Sequence, residues 1–190
     1  MMEYVVLGMP AEGPTLTLDW QRFSYAGKFE MSSTGKAVVY DQDEIVAAAA
    51  FNEDRETQSH AWIRYLTVRS DRQGETLGSH LATSVKETLL NRGYNQVTIA
   101  VNNPRAYRAL YKAGFHFTGR ETGIAELVLK FPGPREPATY RDGLQRFAQR
   151  ELPEEDERLL ESWLEDGTPP ETVNGIPMAP STKAEDNGAC

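Results

Sequence analysis

The residues best suited to chemistry lie between positions 68 and 81, where Gly74 and Gly78 separate an apolar, β-branched run from an amphipathic one. This pattern predicts a strand, a loop and the start of a helix. Glycine lets a backbone come close to a ligand. The unpaired N–H groups and the dipole of a helix N-terminus favour negative charge. The segment therefore predicts a site for a phosphate or pyrophosphate group, which we call the phosphate cradle (residues 73–79).

Two common phosphate-binding motifs do not fit the cradle. A nucleoside-triphosphatase loop requires a lysine and then Ser or Thr after its last glycine, whereas Ser79 and His80 follow Gly78. A dinucleotide-binding fold requires G-x-G-x-x-G after its first strand, whereas this chain has G-x-x-x-G in mid-sequence. The sequence therefore argues against nucleoside triphosphates and dinucleotides as ligands.

A second motif downstream narrows the choice. Residues 66–68 (L-T-V), the cradle sequence Q-G-E-T-L-G and the run N-N-P-R-A to A-G-F at 102–115 together resemble the GNAT (GCN5-related N-acetyltransferase) superfamily. The resemblance covers residues 36–131. It implies a mixed α/β (α+β) fold with a mostly antiparallel central sheet and one parallel βαβ pair, to which this chain adds two C-terminal helices.

The resemblance implies an acetyl-CoA-dependent N-acetyltransferase. Such an enzyme transfers the acetyl group to a primary amine by direct attack in a ternary complex, with acetyl-CoA as co-substrate. The acceptor would be a small-molecule amine or a peptide amine. A non-catalytic acyl-CoA-binding module of the same fold is the alternative. No metal is expected, because the three histidines lack ligand spacing.

The resemblance also implies which residues bind the coenzyme. The pyrophosphate would lie on N–H groups of the cradle, and the pantetheine arm would pair with the preceding strand and with Asn103. The implied coenzyme-binding residues are Leu66, Val68, Gln73, Gly74, Glu75, Thr76, Leu77, Gly78, Ser79, Asn103 and Tyr107.

The catalytic candidates are Val68, Tyr111, Glu30 and His60. The resemblance implies that the Val68 N–H donates to the thioester oxygen as negative charge develops there. Tyr111 is the candidate acid that would protonate the departing thiolate. Glu30 and His60 are the candidate bases, because an attacking amine must lose its proton.

Two positions depart from the family pattern. Thr76 stands where the family usually has a glycine; it narrows the approach of the pyrophosphate, but a backbone with negative φ would still donate. Leu110 stands where the family often has a tyrosine, one residue before Tyr111. One residue turns a helix by about 100°. Either the helix end is rewound to present Tyr111, or Tyr107, another group or water protonates the thiolate.

The surrounding pattern predicts the elements that position the site. Strands are predicted at 4–7, 15–19, 36–40, 45–51, 60–68, 96–101, 115–117 and 124–131, with helices after the cradle and after Pro104. The strands on either side of the cradle helix would be parallel, with a right-handed crossover. Residues 19–35 read as a strand pair or as a loop that lines the acceptor pocket.

We expect a domain at 1–131 and a helical extension at 132–166. The two helices of the extension would pack on the domain or on a second copy in a homodimer. Residues 167–190, which contain several prolines and no periodicity, predict a disordered tail.

Composition limits the partners. A formal net charge of −8 over 190 residues argues against nucleic acid and anionic membrane as partners. No run reaches the ~18 apolar residues of a membrane span. The start lacks a secretory signal, and the sole cysteine, Cys190, cannot form a disulfide within the chain. We therefore expect a cytoplasmic protein. The acidic, lysine-poor composition fits either a halophile or an organism with GC-rich DNA, and it favours a cationic acceptor.

Overall fold

The structure, a computed structural model, describes residues 1–74 and 76–179. Its centre is a seven-stranded sheet with the strand order β1-β2-β3-β4-β5-β7-β6. Only β4 and β5 are parallel; all other neighbours are antiparallel. The strands are β1 (Met2–Gly8), β2 (Gly35–Asp41), β3 (Glu44–Glu53), β4 (His60–Val68), β5 (Gln96–Val101), β6 (His116–Glu121) and β7 (Leu127–Phe131).

Four α-helices cover one face of the sheet, namely α1 (Leu77–Asn91), α2 (Pro104–Lys112), α3 (Pro137–Ala148) and α4 (Glu154–Asp166). In α1, Leu81, Val85 and Leu89 recur every four residues and are fully buried, as expected for one face of a helix. The predicted fold class, a mostly antiparallel sheet with one parallel βαβ pair and two C-terminal helices, is confirmed. No helix among the described residues is long and apolar enough to cross a membrane.

The parallel pair stays together for only part of its length. Residues 60–63 of β4 pair with residues 96–99 of β5, and the ladder ends there. On the other side of β4, Ala50 pairs with Tyr65 but Phe51 pairs with Ile63. Arg64 is therefore an extra residue, a β-bulge, and a bulge bends its strand and increases the local twist. The two parallel strands separate from this point onward.

An irregular segment, residues 9–34, covers the other face of β2, β3 and β4. It contains one short 3₁₀ helix, Ala26–Glu30, and no strand forms at 15–19, contrary to the prediction. Phe23 and Phe29 bury their rings against β2 and β3. The buried Lys36 holds the segment in place, because its Nζ donates to the carbonyl oxygens of Pro14, Met31 and Thr34 at 2.7 to 2.8 Å.

The C-terminal helices pack on the main core. Tyr140, Leu144 and Phe147 of α3 and Leu160 of α4 belong to the same buried cluster as the sheet and α1. The apolar faces of α3 and α4 are therefore satisfied within this chain. The boundary at residue 131 between a domain and an extension stays a prediction.

Residues 167–179, which we call the C-terminal strap, differ from the prediction of a disordered tail. The strap crosses α1 and reaches the free edge of β1, where Tyr4 N donates to Pro177 O at 3.1 Å and Ala179 N donates to Tyr4 O at 3.0 Å. Ile176 N also donates to Ser84 Oγ at 2.7 Å. Backbone hydrogen bonds fix this segment, and they require no hydrophobic periodicity in its sequence. Residues 180–190, which complete the predicted tail, lie outside the described residues.

Candidate functional site

A cleft of about 1320 Å³ follows the gap between β4 and β5. The cradle and the start of α2 form one end of its wall. The segment 25–34, the β3–β4 connection and the turn between β6 and β7 form the rest. The cleft exists because β4 and β5 stop pairing after Ile63 and Ile99. Backbone N–H and C=O groups that would hydrogen-bond in a continued ladder therefore face the opening.

The backbone of β4 presents two of these groups. Arg69 N donates to Val46 O at 2.9 Å, so it faces β3. Because successive backbone groups of a strand point to opposite sides, the N–H groups of Val68 and Leu66 point away from β3 and into the gap. Gln73 Nε2 lies 3.4 Å from Val68 O on that side. The two β4 residues predicted to bind the coenzyme therefore turn their backbone towards the cleft.

The cradle lines the next part of the wall, through Gln73, Gly74, Thr76, Leu77, Gly78 and Ser79. Gly74 has a φ of +87° and Thr76, which precedes α1, has a φ of +61°. Thr76 therefore lacks the negative φ at which its backbone was expected still to donate, and the chain enters the helix through a left-handed residue. The first N–H groups of α1 follow directly. Ser79 N donates to Thr76 O at 3.0 Å, so the N–H groups ahead of it, at Leu77 and Gly78, are the ones that a helix leaves without a partner. Glu75, also predicted to bind the coenzyme, lies outside the described residues.

The start of α2 follows β5 and lines the same end of the cleft, on the β5 side of the gap. Asn103 Oδ1 caps the helix by accepting from Ala106 N at 2.8 Å, and its Nδ2 donates to Asn102 Oδ1 at 3.2 Å. Asn103, Ala106 and Leu110 line the cleft at the spacing of one helix face. Leu110 thus puts an apolar side chain where the family often has a phenol.

A sequence model described as the Acetyltransferase (GNAT) family matches residues 9–115. This chain belongs to the GNAT acetyltransferase family. The matched residues include β2 to β5, the cradle and α2, and so the whole gap between the parallel strands. No curated protein matches the sequence.

The chain is similar to several solved structures. The chain is similar to an acetyltransferase from Bacillus subtilis in complex with CoA, at 13% identity and a TM-score of 0.55 over 70% of this chain and 100% of that chain. It is also similar to the IAA acetyltransferase from Bacillus cereus, at 18% identity and a TM-score of 0.49 over 68% of this chain and 98% of that chain. A third similar structure is the PaiA N-acetyltransferase from Thermoplasma acidophilum in complex with coenzyme A, at 12% identity and a TM-score of 0.43; it covers 50% of this chain and 58% of that chain. At 13% identity, the likeness to the Bacillus subtilis structure shows the fold alone.

Neither predicted tyrosine of this GNAT chain lines the cleft. Tyr111 and Tyr107 are fully buried with their rings 5.0 Å apart. The Tyr111 hydroxyl accepts from Phe117 N at 2.9 Å, and the Tyr107 hydroxyl donates to Tyr140 O at 3.0 Å. Burial raises the pKa of both phenols. The helix is not rewound to present Tyr111, and both side chains pack in the core instead of facing the cleft.

The two predicted bases also lie away from the cleft wall. Glu30 is exposed at the end of the 3₁₀ helix and does not line the cleft. His60 begins β4 next to Gln96 Nε2, at 3.2 Å. It is eight residues before Val68, roughly 26 Å away at 3.3 Å per residue. The geometry brings neither side chain to the split of the parallel strands.

Sequence reasoning missed one carboxylate, Glu126, which lines the cleft just before β7. A tight turn places it there, since Thr122 N donates to Glu126 O at 2.8 Å. The next residue, Leu127, pairs with Val101 at the end of β5. Glu155 is the other carboxylate on the described wall, and it is 3.3 Å from Arg105. No local motif marks Glu126, because only the order of β5, β7 and β6 brings it beside the gap.

The cleft is basic although the chain is acidic. Its cationic lining residues are Lys28, Arg55, Arg64, Arg72, Arg105, Arg108 and Lys112. Within the described residues only Glu126 and Glu155 add negative charge to the wall. The net charge of −8 therefore belongs to the outer surface. No group of three His, Cys, Asp or Glu side chains in residues 1–74 and 76–179 is placed to hold a metal ion.

Proposed function

We propose that this protein is an N-acetyltransferase that passes the acetyl group of acetyl-CoA to a primary amine by direct attack in a ternary complex. The single observation that carries this proposal is the gap between β4 and β5. It has inward-facing N–H groups from β4 on one side and the N-terminus of α1 at its mouth. A long, thin pantetheine arm fits such a gap, and a pyrophosphate fits a helix N-terminus.

The residues of this chain have distinct roles in the proposed reaction. The cradle holds the pyrophosphate through its backbone, and the β4 backbone at Leu66 and Val68 binds the pantetheine arm. The Val68 N–H donates to the thioester oxygen as negative charge develops on it. The amine attacks the carbonyl carbon, the C–N bond forms, and the C–S bond breaks to release coenzyme A. Much of the rate comes from holding the two substrates together.

We assign Glu126 the role of base, replacing Glu30 and His60. It is the cleft carboxylate that forms no ion pair in the described chain. Accepting the proton of the amine, directly or through water, is worth about 100- to 10,000-fold in such reactions. With Leu110 in the wall, the thiolate takes its proton from solvent or from the Glu126 carboxyl that accepted the proton of the amine.

A coenzyme titration followed by a thiol-release assay tests the proposal. Calorimetry with acetyl-CoA, coenzyme A and ATP should show binding of both coenzymes and weaker or no binding of ATP. Thiol release should then require an amine. Failure to bind either coenzyme would refute the proposal.

The alternative is a non-catalytic acyl-CoA-binding module, which the absence of a phenol at Leu110 favours. A protein of that kind would bind acetyl-CoA and release no thiol with any amine in a broad panel. Glu126→Gln further distinguishes the enzyme from the non-catalytic binding module. In the enzyme it lowers kcat about 100-fold or more at unchanged coenzyme affinity, whereas Glu165→Gln, an exposed change on α4, leaves kcat unchanged.

A further inference from the structure

Three cations of the cleft lie away from the cradle. Arg64 is the bulge residue of β4 and Arg55 lies in the β3–β4 connection. Lys28 belongs to the covering 3₁₀ helix, and its Nζ is 5.8 Å from the centre of the Tyr65 ring. The cradle follows the C-terminal end of β4, whereas the β3–β4 connection precedes its N-terminal end. Arg64 is four residues before Val68, about 13 Å along the strand.

None of these three side chains forms an ion pair with a carboxylate in the described parts of the chain. Other cleft arginines do: Arg72 pairs with Asp41 at 2.9 Å and Arg105 pairs with Asp156 at 2.6 Å. Arg108 and Lys112 of α2 likewise pair with no carboxylate there, so the cations without a carboxylate partner lie both on α2 and in the part of the cleft beyond the coenzyme's phosphates.

The setting of Arg64 fixes the direction of its guanidinium group. Its Nε donates to Asn52 Oδ1 at 2.7 Å, and the group lies 4.7 Å from the centre of the Trp62 ring. Burial, and then the charge of nearby Arg55, lower the pKa of Arg64. The carboxylate of Asp54 accepts hydrogen bonds from Trp62 Nε1 at 2.5 Å and from Glu56 N at 2.8 Å. Arg55 and Arg64 together outweigh the single charge of Asp54, which also acts on Arg64. The net positive charge at this end of the cleft favours a bound anion.

We propose that Arg64, with Arg55 and Lys28, binds an anionic group on the acceptor, so that the acceptor is an amino acid or a related amino-carboxylate. This inference rests on the proposed acetyltransferase function and names its substrate class. A guanidinium group binds a carboxylate through two parallel hydrogen bonds. The overall negative charge of the chain favoured a cationic acceptor. The positive charge of the cleft favours an anionic group on the acceptor, and this inference replaces the earlier expectation.

The same part of the cleft also offers apolar surface. Tyr25 and Met31 flank the 3₁₀ helix that carries Lys28 and line the cleft with exposed fractions of 53% and 49%. The Tyr25 and Tyr65 rings are 6.0 Å apart. Ile124, with an exposed fraction of 78%, adds apolar surface to the cleft from the turn between β6 and β7. Exposed apolar side chains at a cleft commonly bury a ligand. An amino-carboxylate with an apolar or aromatic side chain therefore fits better than a small polar one.

Matched amines test the proposal in the thiol-release assay. The pairs are phenylalanine with phenethylamine, ornithine with putrescine, and phosphoethanolamine with ethanolamine. Each pair has the same amine with and without an anionic group, and the last pair distinguishes phosphate from carboxylate. We expect kcat/KM to be about 10- to 100-fold higher for a carboxylate than for its decarboxylated partner, the range of a charge-assisted hydrogen bond.

Arg64→Gln supplies the decisive comparison. It should lower kcat/KM about 10- to 100-fold for phenylalanine and leave phenethylamine within about threefold, with coenzyme A affinity unchanged as evidence of an intact fold. Arg92→Gln, an exposed change at the end of α1, should alter neither amine. Equal activity on both members of each pair, or an equal loss with both amines in Arg64→Gln, overturns the inference.

Calorimetry in the presence of coenzyme A tests binding without turnover. Binding of phenylalanine that Arg64→Gln abolishes supports the anion site even if no thiol is released, in which case only the proposed function fails. Thiol release with decarboxylated amines but no binding of any anionic amine refutes the inference and leaves the function standing. If phosphoethanolamine binds and the carboxylates do not, the carboxylate assignment is refuted.

Discussion

Thr76 has a left-handed backbone where the cradle enters α1, and it faces the cleft. Asn and Asp adopt this conformation more readily than Thr. Thr76→Asn and Thr76→Asp should therefore both fold, with melting temperatures at or above the parent value. We expect the Asn variant to keep its Kd for coenzyme A within about threefold and the Asp variant to bind at least about tenfold more weakly. The reason is that a like charge at about 4 Å costs on the order of 1 to 4 kcal/mol.

Calorimetry on the two Thr76 variants separates charge from size, because Asn and Asp have nearly the same shape. An equal loss in both would indicate a steric effect. An Asp variant with the parental affinity would place the pyrophosphate elsewhere.

Lys36 is the second residue on which the site depends, since one ammonium group satisfies the carbonyl oxygens of Pro14, Met31 and Thr34. Lys36→Met keeps the apolar stem and removes the three hydrogen bonds to these carbonyls and a fourth to Thr34 Oγ1. Each buried carbonyl left without a donor costs roughly 1 to 3 kcal/mol. We expect urea unfolding to show a loss of at least about 2 kcal/mol.

Lys36→Met should also raise KM for the amine more than KM for acetyl-CoA, because the segment it holds lines the acceptor side of the cleft. Substitutions on the surface typically change the free energy of unfolding by no more than about 0.5 kcal/mol. A change that small for Lys36→Met would contradict this role.

At the scale of elements, the strap fixes the edge of the sheet. It pairs with β1 at Tyr4 and with α1 at Ser84. An unpaired edge strand is a template for pairing with other chains. A chain that ends at Asp166 should lose roughly 5 to 10 °C in melting temperature, since about 1 kcal/mol shifts a chain of this size by about 2 to 4 °C. It should also self-associate on size-exclusion chromatography.

A chain that ends at Ala179 is the matched control for this truncation, because it keeps every strap contact described above. It should melt and elute like the full chain. If both truncations behave alike, the strap contributes nothing to the edge.

The elements themselves could be predicted because their signals are local. The four-residue repeat in α1 and the alternation in β5 lie within a single element. The cap at Asn103, with Pro104 after it, is a short-range signal of the same kind. The cradle could also be predicted, because its glycines are a local signal for a loop in which the backbone comes close to a ligand.

The acceptor side could not be predicted, because distant parts of the chain meet there. Arg64 faces the cleft through a bulge, and Glu126 reaches it only because β7 lies between β5 and β6. The strap was missed because backbone hydrogen bonds leave no pattern in the sequence. Tyr111 was misplaced because its spacing from the Gly-Phe motif does not show which side of α2 faces the core.

At the scale of the whole molecule, three tyrosines join the helical layer into one unit. Tyr107, Tyr111 and Tyr140 are fully buried with ring centres 4.7 to 5.8 Å apart. Burial raises the pKa of each phenol above its ordinary value of 10.0. Because the folded-state pKa is the higher one, this stabilisation is fully present below pH 10 and is lost as the pH rises through the folded-state values.

We therefore expect alkaline unfolding to be coupled to ionisation of this trio. In a pH titration, part of the tyrosinate absorbance should appear only together with the loss of far-ultraviolet circular dichroism. If all eight tyrosines of the chain ionised while the dichroism stayed native, the trio would not be buried as described.

The hydrogen bonds between the strap and α1 affect the rate at which the coenzyme associates. His80 and Ser84 contact the strap, whereas Gly78 and Ser79 line the cleft, so the helix is held on one side while its N-terminus is left open on the other. Its donors are thus in place before the coenzyme arrives, and association need not wait for a helix to order. The association rate constant should reach about 10⁶ M⁻¹ s⁻¹ or more and fall as salt is added, because basic side chains of the cleft attract an anion that the rest of the surface repels.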